Sequence, residues 1–89
     1  MTDIARCYIE LRDFKMAKQW LDKAVSLSSD EDAYAGLGYL HEKGLGVPRS
    51  KAIALGYYIT AGDLGSYDAR KDAVRLRGKP IVFYPQGSI

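Results

Sequence analysis

Between residues 4 and 77 the apolar side chains of this chain return every three or four positions, in five successive runs separated by turn chemistry. That period belongs to helices with one buried stripe, not to the two-residue alternation of a half-buried strand. The first run holds Ile4, Ala5, Tyr8 and Leu11; the second holds Phe14, Ala17, Leu21, Ala24 and Val25. Neither contains Pro or Gly, and the stripe restarts near Arg12 and Asp13, so a short turn there folds the two helices antiparallel. Polar Ser28-Ser29-Asp30-Glu31-Asp32 supplies capping oxygens and acids for the positive end of a third helix, over about 32–43. Gly44-Leu45-Gly46-Val47-Pro48 stops it, because Gly follows helix ends and Pro cannot continue one. A fourth helix is predicted over about 50–64 and a fifth over about 67–77, punctuated by Gly65-Ser66 and by Gly78-Lys79-Pro80.

Eighty-nine residues make one small domain, too short for a two-domain enzyme with a cofactor fold. A composition of 47% hydrophobic and 27% charged residues is that of a foldable chain. No apolar run approaches the ~20 residues of a membrane span. The single cysteine, Cys7, excludes an intrachain disulfide framework and a thiolate zinc cluster. A net charge of +2 is too weak to argue for nucleic acid. Acids outnumber bases up to residue 32, and bases outnumber acids after residue 65.

Two units are internally similar. Ala5, Tyr8, Phe14, Ala17 and Leu21 align with Gly38, His41, Val47, Ser50 and Ala54, and Trp20–Ala24 aligns with Tyr57–Ala61. Small residues at Ala5, Ala17, Ala24, Gly38, Ala54 and Ala61 are expected where helices approach closely. Large ones at Tyr8, Phe14, Trp20, Leu21, Tyr57 and Tyr58 are expected to fill the spaces between.

Ala5-x-x-Tyr8, Asp13-Phe14-x-x-Ala17 and Trp20-Leu21-x-x-Ala24-Val25-x-Leu27 resemble a tetratricopeptide repeat. Leu37-Gly38, Gly44-x-Gly46-Val47-Pro48 and Ala54-x-x-Tyr57-Tyr58-x-x-Ala61-x-x-Gly65 resemble the Sel1-like variant with its glycine-rich turn. The chain departs from the family pattern at Arg12 (usually glycine), His41 (usually tyrosine), Ser50 (usually Asp or Asn), Ile53 (usually lysine) and Gly62 (usually alanine). The resemblance implies an all-α fold, a short right-handed α-solenoid of antiparallel helix pairs with about two and a half repeats. It gives a repeat domain over 1–78, with units over about 1–29, 30–65 and a partial 66–78, and an extended tail over 79–89.

The resemblance also implies a non-catalytic protein–protein interaction module. Its partner, a peptide or protein, is expected on the concave surface lined by the first helix of each pair. Register puts Arg6, Ile9 and Glu10 there from the first unit, Tyr39, Glu42 and Lys43 from the second, and Lys71, Asp72 and Arg75 from the third. Tyr39 is the expected anchor, since tyrosine offers large area at low entropy cost. Two other readings are a small inhibitor or immunity-type protein that blocks a partner enzyme, and a hydrolase-like enzyme built on His41 or Cys7.

No residue pattern supports the last. His41 lacks a partner at helical spacing, with Leu37 and Leu45 one turn away, and reads as a packing residue. Cys7 is expected near a helix N-terminus as a structural thiol; the paired cysteines of cysteine-rich relatives with β-lactam hydrolase activity are missing. Asp30-Glu31-Asp32 reads as a cap, not a calcium loop. Arg70, Lys71, Arg75, Arg77 and Lys79 cluster without interleaved aromatics. No cofactor, metal, nucleic-acid or membrane site is expected. The residues before Glu10 lack an apolar signal run, which predicts a cytoplasmic setting. Ile81, Val82, Phe83 and Tyr84 are expected to dock on the last helix pair near Tyr58 and Val74. The face around Ile4 and Tyr8 is then left for a homodimer contact or a partner.

Overall fold

The computed structural model describes residues 2–28 and 30–78. Five helices form the fold: α1 (Thr2–Glu10), α2 (Phe14–Leu27), α3 (Glu31–Lys43), α4 (Lys51–Asp63) and α5 (Tyr67–Arg77). Among the described residues there is no strand. Each helix packs on the next in chain order, and α1 reaches past α2 to touch α3 only lightly. The fold is therefore the expected all-α helical stack. The expected docking of Ile81–Tyr84 lies outside the described residues.

Four helices start on a side-chain cap. Asp13 accepts from the Met16 amide, Asp30 from those of Asp32 and Ala33, Ser50 from Ile53, and Ser66 from Ala69. Each satisfies a backbone donor that the first turn leaves unpaired. The acidic run at 30–32 is thus a cap with its first-turn acids, as expected.

Four of the five helix ends, all but that of α2 at extended Ser28, close on a left-handed residue. At the end of α4, Ser66 N–H bonds Ala61 C=O (3.0 Å) and Gly65 N–H bonds Gly62 C=O (3.1 Å), with Gly65 at φ 115°. At the end of α1, Asp13 N–H bonds Tyr8 C=O (2.8 Å) and Arg12 N–H bonds Ile9 C=O (3.0 Å). Arg12, the family's usual glycine, therefore occupies the left-handed position, at φ 63°. Gly44 and Gly78 close α3 and α5 in the same region.

All six small residues expected at close approaches (Ala5, Ala17, Ala24, Gly38, Ala54 and Ala61) are buried. The large partners divide. Leu21 and Tyr58 are buried, whereas Tyr8, Phe14, Trp20 and Tyr57 are only half-buried. Two apolar clusters result. The first joins Ala5, Leu21, Ala24, Ala33, Leu37 and Leu40 across α1 to α3. The second joins Ala54, Tyr58, Ala61, Ala69, Ala73 and Leu76 across α4 and α5, with Tyr34 and Ala35 of α3 packed against it. Helix α3 therefore belongs to both. Leu37 and Leu40 are the largest fully buried side chains of the described residues.

Two glycines set the approach between elements. A Cβ on Gly38 would sit 2.9 Å from the Tyr58 ring, so α3 meets α4 closer than alanine permits. A Cβ on Gly46 would sit 2.8 Å from that of Phe14, so the turn of the second unit rests directly on the start of α2.

Candidate partner-binding groove

Because α1 and α3 both lean on α2 and barely meet, a trough stays open between them. It consists of two adjoining hollows of about 380 and 370 Å³ that share Ile9 and Tyr39 as walls. The first is lined by Ala5, Arg6, Asp32, Ala35 and Gly36, with Leu21 beneath and with Ser66 and Asp68 from the start of α5. The second is lined by Glu10, Arg12, Phe14, Lys43 and Leu45. From Asp32 to Lys43 the trough follows α3 for roughly 17 Å, at about 1.5 Å per residue.

Five of the nine residues expected on the concave surface line this trough: Arg6, Ile9, Glu10, Tyr39 and Lys43. Tyr39 is 37% exposed, an aromatic ring standing between the two hollows. Three others form a separate polar cluster that joins α3, α4 and α5. The Glu42 Oε1 accepts from the Tyr58 hydroxyl at 2.8 Å and from the Arg75 guanidinium at 2.9 Å, and Arg75 also pairs with Asp72 at 3.1 Å. The Arg75 hydrogen bond, aided by Tyr58, outweighs partial burial and pushes the Glu42 carboxyl down to about 2. Burial first, and the Glu42 hydrogen bond second, push the Tyr58 hydroxyl up. Glu42 is thus spent within the fold, with its side chain 11% exposed. Lys71 is exposed and lines neither hollow.

The trough also holds residues that the sequence reading did not assign. Asp32, Ala35 and Gly36 share a stripe of three- and four-residue spacing with the expected Tyr39 and Lys43, so they were readable once one helix face was chosen. Asp68 was not, because it comes from the next unit. Arg12, Phe14 and Leu45 come from turns or helix starts, where periodicity gives no direction.

The candidate catalytic residues are placed elsewhere. His41 is buried, its ring stacked on Tyr57 with centroids 5.6 Å apart, and its Nδ1 has no hydrogen-bond partner among the described residues. That is the packing position expected of it. Cys7 departs from expectation: it lies in the middle of α1 and is exposed, because α1 begins at Thr2 and turns that position outward. No cluster of His, Cys, Asp or Glu suited to a metal occurs among the described residues. The basic residues of α5 are dispersed. Arg70 donates to Gly62 C=O and lies over the Tyr67 ring, and Arg75 pairs with Glu42 and Asp72. Among the described residues no helix is long and apolar enough to cross a membrane.

The family model of the Sel1 repeat matches residues 9–29 and 31–66, which together are more than half of the chain. Comparison with curated proteins and with solved structures returns no significant match. Sel1 repeats generally mediate protein–protein interaction.

Proposed function

This chain belongs to the Sel1 repeat family, and we propose that it is a non-catalytic interaction module holding a peptide or protein segment in the trough between α1 and α3. The observation that carries the reading is Tyr39, exposed between two adjoining hollows and flanked by Ile9. A half-exposed aromatic over an apolar floor gains contact area on binding with few rotors to freeze. Charged residues along the rim select and orient what enters. In this reading Arg6, Ile9, Glu10, Tyr39 and Lys43 touch the partner. Glu42, Asp72 and Arg75 hold α5 beside the trough, and Lys71 lies outside it. Residues 1–78 act as one repeat domain. Support for a non-catalytic role comes from His41, whose ring is committed to the Tyr57 stack.

The test is affinity capture from the native host with the wild-type chain and with Tyr39→Ala, followed by titration of the purified captured protein. Tyr39→Ala keeps the fold by circular dichroism and weakens the titrated complex by about tenfold or more, as expected for an aromatic anchor. An unchanged affinity would assign the partner to another face. A measurable turnover lost in His41→Ala, with folding intact, would replace the reading altogether.

A further inference from the structure

The two ends of the trough differ in charge. At the end near the start of α3, carboxylates from two helices meet one hollow: Asp32 from the first turn of α3 and Asp68 from that of α5. Arg6 faces them from α1. At the other end the balance reverses, with Arg12 and Lys43 against Glu10. Asp32, Asp68, Arg6, Arg12 and Glu10 form no ion pair among the described residues, and Lys43 has only a 3.5 Å approach to the already paired Glu42. Between the ends the shared walls are apolar, Ile9 and the Tyr39 ring.

Resting on the proposed function, we infer that the occupant is an extended segment of another protein, basic at one end, apolar in the middle and acidic at the other. Its basic end lies between Asp32 and Asp68. The trough's length of roughly 17 Å suits about five extended residues at about 3.3 Å each. Side chains two apart on such a segment point the same way, so two apolar side chains enter the two hollows on either side of Tyr39. Rim charges of this kind add little affinity but strongly discriminate among partners, because a like charge at either end is repelled. The helix caps are Asp30 and Ser66, so Asp32 and Asp68 are exposed and uncommitted to the caps.

The experiment uses the full chain and three fluorescein-labelled peptides: Lys-Lys-Leu-Ser-Leu-Glu-Glu, the same core with Lys at both ends, and the same core with Glu at both ends. Anisotropy titrations at low salt should show the mixed-charge peptide binding roughly fivefold more tightly than either like-ended one, the worth of one or two rim pairs. In the double variant Asp32→Lys, Asp68→Lys both ends of the trough are basic, and the preference moves to the Glu-ended peptide. The neutral pair Asp32→Asn, Asp68→Asn leaves Arg6 at that end, so the mixed-charge peptide loses its advantage over the Glu-ended one and keeps it over the Lys-ended one, and circular dichroism reports that each variant is folded. Equal binding of all three peptides, still weakened by Tyr39→Ala, overturns the charge order and leaves the proposed function standing. No saturable binding by any peptide, or binding indifferent to Tyr39→Ala, overturns both.

Discussion

Arg12 holds a left-handed backbone, φ 63°, where the matching end of α4 uses Gly65. A side chain there costs about 1–2 kcal/mol against the following carbonyl. Replacing it with glycine restores roughly 0.4–1 kcal/mol of unfolded-state entropy that must be lost on folding. Arg12→Gly is therefore expected to stabilise the fold by about 0.5–1 kcal/mol net, raising the melting temperature by several degrees. This position was readable in advance, since the departure from the family's glycine fell at a turn set by the stripe's change of phase. Glu42 was not. Register assigned it to the concave surface, and nothing in the sequence tells that Tyr58, sixteen residues on, and Arg75, thirty-three residues on, converge on the same carboxylate oxygen. Its lowered value has a pH consequence. The folded carboxyl titrates near 2 and an unperturbed one near 4.5, so the stabilisation is full above about 4.5 and is lost as pH falls toward 2. Arg75 is half exposed, which limits the pair to about 1 kcal/mol. Thermal melts of the wild type and Glu42→Gln should differ at pH 7 and converge between pH 4.5 and pH 2.

Helices were the most legible level, because an apolar stripe needs only local order to be read. The predicted third and fifth helices agree with α3 and α5 to within a residue at their starts. How tightly the helices meet was less legible, and glycines show why. Gly38 and Gly56 both lie inside helices; the repeat register marked Gly38 as a close approach without telling what it meets, and gave no reading of Gly56. A Cβ on Gly38 would press on the Tyr58 ring, while one on Gly56 would meet nothing within 4 Å. Gly56→Ala should stabilise α4 by about 0.5–1 kcal/mol, the ordinary propensity gain. Gly38→Ala carries the same gain, but crowding of about 1–3 kcal/mol outweighs it. Denaturant titrations of the two variants should move in opposite directions.

For the molecule as a whole, α3 is the member common to both apolar clusters. Leu40→Ala should cost about 2–5 kcal/mol, a large part of what a domain this small possesses, and should disrupt both clusters in a single transition. Helix α1, at the outer end with α2 as its main neighbour, is the natural place for local opening. Hydrogen exchange should accordingly be slowest in the middle of α3 and fastest in α1. The reverse order would mean that the trough's α1 wall is more firmly held than the packing implies.

The seat of Gly46 on Phe14 matters to anyone who would lengthen this chain into an array. That contact spans two units, so it fixes the spacing from one to the next, much as a pin sets the pitch of a chain link. An array copied from this sequence should keep the aromatic at the head of each second helix and the glycine in the following turn. With a larger residue at the glycine, every added unit would inherit the same misfit, and the curvature of the assembled rod would drift with its length.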